Sequence, residues 1–447
     1  MKLAFLPIDN RPVCYTLPKL IAQIDESIDF YIPEREYLGD LTKPANISKL
    51  FKWLQNLPND IDAVILTLDT IAYGGLIPSR RCNESFSQIK TRIEKLKHIL
   101  ESKNCKIYAF SSIMRISNNN YNEEEKEYWA QYGKQIFEYS YNSHKLGKVQ
   151  ETTVPKDILE DYLLTRKRNF EINKIYLEWQ KEEFFETLLF TKDDCAQYGL
   201  NVQEAHELEN LGATTKTGAD EIPLSLMARA VQGEVNICPI FLEPEHKDLI
   251  SNYEDISIEN SVKSQILTAN CKISNKQNAD ILLYINNFID NQGEIVMKID
   301  TEPFNNTFTT PQTPFMVADV RFANGADNNF VKELLQNDIN NNNFYGYSAW
   351  NTSANTLGSL ICSAKIKYLA EKFNEKAFKK LQLVRFLDDW AYQANIRQEL
   401  SFPDTEELRK KMQRYENTIK DKLGIDEINI NYTYPWNRLF EVEIELN

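Results

Sequence analysis

The sequence has few of the residues that build metal and redox centres. Only four histidines occur in 447 residues, and no two have the H-x-x-x-H spacing of a zinc ligand pair. The seven cysteines are scattered, odd in number and without C-x-x-C, so neither a disulfide framework nor a zinc finger is indicated. We therefore expect reduced thiols in a cytoplasmic protein, and chemistry that rests on carboxylates, arginine, asparagine, tyrosine or serine.

A basic excess and a long hydrophobic run are also lacking. The net charge of −14 has the wrong sign for nucleic acid or an anionic membrane, so we expect neither partner. The longest apolar runs, such as residues 63–66, are far shorter than a membrane span. The first apolar run meets a charge at Asp9, which argues against a secretory leader. A small-molecule substrate in a local pocket remains compatible with this charge.

Apolar runs, polar loops and amphipathic segments alternate along most of the chain. This βαβ pattern predicts an α/β fold of mostly parallel sheets with flanking helices, in Rossmann-like lobes. The predicted strands are 3–8, 29–32, 63–68, 106–110, 188–190, 234–242, 280–285, 313–320 and 345–349. The predicted helices are 17–24, 47–54, 89–100, 122–139, 155–183, 261–269, 330–335 and 356–373. Residues 69–81 are predicted to form an irregular loop, because Gly74 and Gly75 permit unusual backbone angles and Pro78 ends a regular element.

The length of 447 residues is too great for one small core. We predict an N-terminal α/β domain over 1–230, a second α/β domain over 231–375 and a mainly helical C-terminal region over 376–447. The tail 428–445 has alternating segments around Trp436 and matches no helical pattern. The sequence does not set the oligomeric state.

Polar side chains follow most of the predicted strands within a few residues. In parallel sheets the ligand lies outside the carboxyl ends of the strands, so we expect these side chains to converge on one crevice. A single Asp at such a place is more often a helix cap or a turn residue, and it is the repetition that points to a site. The set comprises Asp9, Arg11, Asp69, Arg115, Asp193, Asp194, Asn286, Asp319, Asn324, Asp327, Asn351 and Asn355.

Two acidic pairs occur close together, Asp193–Asp194 after a strand and Asp220–Glu221 in the frame T-G-A-D-E. Adjacent residues usually point apart, so one member of each pair is expected to reach a ligand. We predict Asp194 and Asp220 as the catalytic pair. Two carboxylates can divide acid and base roles, or they can hold a hard divalent cation through their oxygens.

Arginine, amide and carboxylate side chains are the predicted substrate ligands. The guanidinium groups of Arg11 and Arg80 can bind carboxylate or phosphate groups. Trp350 and Asn351 can contact a sugar ring through an apolar face and an amide, or Trp350 can belong to the core while Asn351 caps a helix. Y-G-G-L-I-P-S-R-R is neither a phosphate loop nor a G-x-S-x-G elbow. The predicted substrate-binding residues are Asp9, Arg11, Asp69, Arg80, Asp193, Glu221, Asn324, Asp327, Asn351 and Asn355.

One helical face within 155–183 carries Arg166, Asn169 and Asn173 at i, i+3 and i+7. Such a stripe is either a solvated surface or a face turned toward the site. The second interpretation gains weight because this helix leads directly into the strand before Asp193.

Seven motifs, taken in order, resemble the bacterial family labelled domain of unknown function four-one-two-seven. They are L-P-I-D-N-R-P, Y-G-G-L-I-P-S-R-R, R-K-R-N-F-E-I-N, K-D-D-C-A-Q-Y-G-L-N, T-G-A-D-E, A-N-G-A-D and W-N-T-S-A-N-T-L-G. The resemblance spans about residues 3–400 and implies that these positions belong together. It implies no reaction, because the family label carries none.

Three functions are compatible with these patterns. The first is a hydrolase for a small, polar, carbohydrate-like substrate, with carboxylate acid/base chemistry at the strand ends and no cofactor. The second is a hydrolase or transferase for a phosphorylated or carboxylated substrate, in which the acidic pairs hold a divalent metal. The third is a non-catalytic protein that binds a small ligand.

Overall fold

The computed structural model describes residues 1–193, 195–426 and 428–447. Its strands are β1 (Lys2–Leu6), β2 (Asp29–Tyr31), β3 (Ala63–Thr67), β4 (Lys106–Ile113), β5 (Thr187–Lys192), β6 (Thr215–Thr217), β7 (Asn236–Phe241), β8 (Lys272–Ile273), β9 (Ile281–Asn286), β10 (Gly293–Glu294), β11 (Phe315–Asp319), β12 (Phe322–Ala323), β13 (Phe344–Ser348), β14 (Ile430–Thr433) and β15 (Glu443–Leu446). Its helices are α1 (Pro12–Ala22), α2 (Ile47–Gln55), α3 (Leu68–Ala72), α4 (Leu76–Arg81), α5 (Phe86–Glu101), α6 (Trp129–Leu146), α7 (Lys156–Lys181), α8 (Leu200–Asn210), α9 (Ile222–Ala230), α10 (Ile258–Thr268), α11 (Asn328–Gln336), α12 (Ser353–Leu369), α13 (Glu375–Arg385) and α14 (Thr405–Leu423). A π-helical segment, Phe386–Gln393, extends α13.

Two compact units divide the chain. Unit 1 comprises Met1–Asn10, Asp29–Pro223 and Tyr253–Asp255. Unit 2 comprises Arg11–Ile28, Leu224–Asn252 and Ile256–Asn447. The three-part division at residues 231 and 376 stays a prediction from sequence.

Unit 1 contains a six-stranded parallel sheet in the order β2-β1-β3-β4-β5-β6. Its central strands read as continuous apolar runs because helices cover both faces, and all five residues of β3 are buried. The predicted α/β fold with parallel sheets is confirmed. The strand order reverses between β1 and β3, and a ligand crevice in such a sheet opens at this reversal.

The loops that follow β1 and β3 are hydrogen-bonded to each other. The hydroxyl of Thr70 donates to the carbonyl oxygens of Pro7 and Ile8, at 2.8 and 3.1 Å. Thr70 lies in α3, which begins immediately after β3. The two segments at the strand reversal are thus fixed relative to one another.

The segment 69–81 is not the irregular loop that the sequence predicts. It forms the short helices α3 and α4, joined by Gly74 and Gly75 at φ +94° and +135°. Pro78 does not end an element. It is the third residue of α4, where the backbone N–H has no partner within the helix, so proline costs little there.

Unit 2 contains a five-stranded parallel sheet in the order β13-β11-β9-β7-β8. Its strand order reverses between β7 and β9, so it follows the same pattern of neighbours as β1 to β5 of unit 1. The mostly apolar helix α12 is buried from Ser353 to Lys367. The C-terminal region is mainly helical, as predicted, and its alternating tail forms the antiparallel ribbon β14–β15.

Two further helices differ from the prediction, one in where it begins and one in not being predicted. The helix predicted over 122–139 is α6, which begins only at Trp129. Helix α8 occupies a stretch that the sequence presents as a polar segment. Among the described residues, none of the helices combines the length and apolar character that crossing a bilayer requires.

Candidate functional site

Three buried hydroxyl groups lie at the carboxyl ends of β3, β4 and β5 in unit 1. Thr67 pairs with Phe110, and Ser112, two residues further along, pairs with Thr191. Because alternate residues share a sheet face, Thr67, Ser112 and Thr191 lie on one face. The described chain provides no close hydrogen-bond partner for these three side-chain oxygens, although the Ser112 hydroxyl lies near enough to Asp69 to lower the pKa of that carboxyl. Since a buried hydroxyl without a partner is costly, this row indicates a place for a polar ligand.

Asp69 lies beside this row, in the first turn of α3. Its side chain is buried, and its Oδ2 accepts a hydrogen bond of 2.8 Å from the backbone N–H of Ser112. Burial raises the pKa of Asp69 to about 7, although the Ser112 N–H and the charge of Arg80 both act to lower it. A carboxyl group with this pKa is partly protonated near neutral pH and can act as a general acid.

Two buried tyrosines are electrostatically coupled to Asp69. Tyr73 comes from the end of α3 and Tyr176 from α7, and the described residues provide no hydrogen-bond partner for either hydroxyl. Burial raises the pKa of both tyrosines well above the ordinary value, and the charge of Asp69 raises it further. Both phenols therefore stay protonated and can donate hydrogen bonds.

Arg80 and Arg115 form an ion-pair cluster with three acidic residues, which we call the Arg80–Arg115 cluster. Nη1 of Arg80 donates to Oε1 of Glu125 at 2.9 Å, and Nε of Arg115 donates to the same oxygen at 3.0 Å. Nη2 of Arg115 donates to Oε2 of Glu124 at 3.0 Å. Oδ2 of Asp193 lies 3.6 Å from Nη2 of Arg80 and 3.5 Å from Nη1 of Arg115.

Glu124 and Glu125 are not among the site residues predicted from the sequence. The charged run that contains them is predicted to be part of a helix over 122–139, whereas the structure places it before α6. Arg81 holds this segment, because its guanidinium donates to the backbone carbonyls of residues 122, 123 and 125. The only sequence signal was the density of acidic residues beside Arg115.

The polar stripe on α7 faces inward. Arg166, Asn169 and Asn173 are all buried, so the interpretation as a solvated surface is wrong. Asn173 accepts from the Ser111 hydroxyl at 2.7 Å and donates to the Ser112 carbonyl at 3.2 Å. Asn169 donates to the Ser79 carbonyl at 3.0 Å. The stripe thus supports β4 and α4, which carry Ser112 and Arg80.

The other predicted residues of unit 1 lie after its strands. Asp9 is buried after β1, and Asp220 is half-buried after β6. Glu221 is buried, and its Oε2 accepts from the backbone N–H of Ala219 at 3.2 Å. Asp194 lies outside the described residues, so its predicted catalytic role stays a prediction.

Five predicted ligands belong to unit 2, so the predicted residues are divided between the two units. Arg11 precedes α1, and its guanidinium carbon lies 5.4 Å from the centroid of the Trp436 ring. Asp327 caps α11 by accepting from the N–H of Asn329. Asn324 and Asn351 have left-handed backbones and are joined by a hydrogen bond from Asn324 N–H to the Asn351 carbonyl. Asn355 lies in the first turn of α12.

Unit 2 has its own buried polar network at the strand reversal between β7 and β9. Arg321 pairs with Glu243 at 2.7 Å and donates to Asn286 at 3.0 Å. Asn286 in turn donates to Asp319, whose pKa is raised to about 8 by burial and by the charge of Asp327. The hydrogen bonds within this network indicate a stabilising role.

The family model described as Protein of unknown function (DUF4127) matches residues 3–445. The chain belongs to this family. The resemblance carried by the seven motifs is therefore confirmed. Comparison with curated proteins and with solved structures found no match. The description of the DUF4127 family names no activity.

The described part of the DUF4127 chain has no preformed cluster of metal ligands. No group of three or more His, Cys, Asp or Glu side chains is placed there to hold a metal ion. The acidic residues of the Arg80–Arg115 cluster are instead paired with guanidinium groups.

Proposed function

We propose that this protein is a hydrolase for a small, polar, carbohydrate-like substrate, and that the reaction takes place at the carboxyl edge of the unit 1 sheet. The observation that carries the proposal is Asp69, a buried carboxyl group with a pKa of about 7, beside a row of buried hydroxyls. Asp69 follows β3 and therefore lies next to the reversal of strand order, where ligands of such sheets bind.

The hydroxyl row supports a substrate rich in hydroxyl groups. Each hydroxyl of Thr67, Ser112 and Thr191 can donate one hydrogen bond and accept others, and a sugar hydroxyl has the same capacity. A substrate that completes these hydrogen bonds replaces the lost hydration of the buried groups. The same edge of the sheet thus combines binding groups with an acid.

Asp69 has the role of proton donor to the leaving-group oxygen when the bond is cleaved by water. A second carboxylate activates the water or attacks the substrate. The sequence-derived pair, Asp194 and Asp220, supplies the candidates, and of these Asp220 lies after β6 in the same sheet.

The test is hydrolysis of a panel of glycosides by the wild type and by Asp69→Asn. We expect the substitution to reduce kcat by at least about a hundredfold, because it removes the transferable proton. Asp157→Asn, an exposed change in the first turn of α7, is the matched control. Full activity of Asp69→Asn would exclude Asp69 as the acid, and full activity of Asp220→Asn would exclude Asp220.

The guanidinium groups of the Arg80–Arg115 cluster suit the phosphorylated or carboxylated substrate of a second candidate, a divalent-metal-dependent hydrolase or transferase. Assay in excess EDTA separates the two functions. Full activity in EDTA would contradict the metal-dependent function. A ligand that raises the melting temperature without turnover would instead support a non-catalytic binding protein.

A further inference from the structure

One oxygen position in unit 1 is approached by two guanidinium groups. Oδ2 of Asp193 occupies it, 3.6 Å from Nη2 of Arg80 and 3.5 Å from Nη1 of Arg115. Both distances exceed the 2.7–2.9 Å of a close charge-assisted hydrogen bond. Asp193 therefore marks the position without binding tightly in it.

Arg80 has an N–H group directed to this position. The side chain is 1% exposed, and among the described residues its Nη2 has no hydrogen-bond partner. Its Nη1 is already bonded to Glu125. A buried guanidinium N–H without an acceptor is costly, so a better acceptor than Asp193 would be bound strongly here.

We propose that this position binds a carboxylate group of the substrate, which displaces Asp193. The substrate of the proposed hydrolase is then a sugar acid, and this step rests on the proposed function. Two guanidinium groups that converge from different elements, α4 and the segment after β4, form a carboxylate-binding fork. The protein's own carboxylate already lies at its centre.

The charge of the cluster favours a carboxylate over a phosphate. Arg80 and Arg115 are paired with Glu124 and Glu125, the charge of Arg81 also acts on both glutamates, and Asp193 adds one negative charge. A carboxylate that replaces Asp193 restores the same total charge. A phosphate dianion would add a further negative charge beside the two glutamates, which costs free energy in a partly buried site.

Asp193 is the member of the cluster whose departure breaks the weakest contacts. Its side chain is 19% exposed and lies on the bend after β5, whereas the side chain of Glu125 is 4% exposed and bonded to both arginines. Exchange of Asp193 for a ligand carboxylate therefore leaves the Glu125 bonds in place.

The experiment measures binding of D-glucuronate and glycolate, with D-glucose and ethylene glycol as neutral counterparts, to the full-length protein by calorimetry. We expect Asp193→Ala to bind both carboxylates about tenfold more tightly than the wild type, because the competing charge is gone. Binding of the neutral compounds stays unchanged. Asp157→Ala is the control for loss of an acidic residue.

The double variant Asp193→Ala/Arg115→Gln provides the second measurement, with circular dichroism as the check on folding. We expect it to lose the gain in carboxylate binding. Equal carboxylate binding by Asp193→Ala and Asp157→Ala would overturn the proposal, and an equal gain for inorganic phosphate would overturn the choice of carboxylate. Turnover of the glycoside panel by the wild type is measured separately, so failure of the hydrolase proposal is seen there and not in the binding data.

Discussion

Asp69 differs from a surface carboxyl group because burial favours its protonated form. At neutral pH the carboxyl is divided between its acid and base forms, whereas an exposed aspartic acid is fully ionised. The neighbouring tyrosines stay protonated over the same range. Among these three groups, Asp69 is the one whose charge changes within the physiological range.

The pH dependence of hydrolysis follows from this pKa. If Asp69 is the proton donor, kcat/KM falls as the pH rises through about 7, because the fraction of protonated Asp69 decreases about tenfold per pH unit above it. Rates measured from pH 5 to 9 should show this inflection. Residual activity of Asp69→Asn should lack it, and an inflection that persists in the variant must belong to another group.

The hydroxyl of Ser112 can be separated from that of its neighbour Ser111. In Ser112→Ala we expect little change in thermal stability and a KM raised several-fold, because the removed hydroxyl has no close hydrogen-bond partner among the described residues and is available to the substrate. Ser111→Ala is the matched control. It removes a hydrogen bond to Asn173 and should cost about 1 kcal/mol of stability with little change in KM. If KM instead rises in Ser111→Ala and not in Ser112→Ala, the substrate-binding hydroxyl is that of Ser111, on the other face of β4.

The helices α3 and α4 illustrate how local elements fix the site. Gly75 lies at φ +135°, and a Cβ built on it would be 3.3 Å from the carbonyl oxygen of Ile8, in the loop after β1. The connection between the helices therefore needs both the glycine backbone and the absence of a side chain. It sets the direction in which α4 carries Arg80.

Gly75→Ala is expected to cost at least about 2 kcal/mol of unfolding free energy and to reduce activity. The alanine would have both an unfavourable left-handed backbone and a close contact of its Cβ with the Ile8 carbonyl oxygen. Gly147→Ala, at the end of α6, is the control. It also has a left-handed backbone, at φ +63°, but a Cβ there has nothing within 4 Å. It should cost about 1 kcal/mol and leave activity unchanged. Chemical denaturation and glycoside assays measure both effects.

The central strands of both sheets could be predicted from sequence because they are buried on both faces, whereas the short edge strands β6 and β8, which are not buried, could not. Runs such as those of β3 and β9 are apolar throughout and have polar residues at their ends. The helix pair α3–α4 could not be predicted, because adjacent glycines and Pro78 are equally typical of a loop. Only their contacts with the loop after β1 distinguish the two.

Membership of the two units is likewise absent from the local pattern. Residues 11–28 lie between β1 and β2 in sequence but belong to unit 2. One reason is Asp25, whose carboxylate accepts from the backbone N–H groups of Glu371 and Lys372. Contacts between residues about 350 positions apart in the sequence produce no periodic pattern in it. For the same reason the division of the predicted site residues between the two units could not be predicted.

At the scale of the whole molecule, buried acids set the pH dependence of stability. Burial raises the pKa of Asp69 and Asp389 to about 7 and that of Asp319 to about 8. Folding binds their protons more tightly than the unfolded chain does. Their stabilising contribution is present below pH 4 and is lost as the pH rises through 7 to 8.

Asp25, Asp40 and Asp280 have lowered pKa values, and their contribution is complete once the pH exceeds about 4. We therefore expect the free energy of unfolding in urea to fall between pH 6 and 8.5. The decline should be smaller in Asp69→Asn and in Asp319→Asn than in the wild type. A stability that rises over this range would contradict ionisation of these carboxyls in the folded protein.

The position of α1 in unit 2 has a consequence for synthesis. This helix packs against α12 and α13, and its buried residues include Val13, Leu17 and Ile21. It leaves the ribosome more than three hundred residues ahead of these partners. At typical elongation rates of about 5–20 residues per second, the apolar face of α1 has no α12 or α13 to pack against for tens of seconds. Translation speed, and not only sequence, therefore influences how much of the newly made chain reaches the native state.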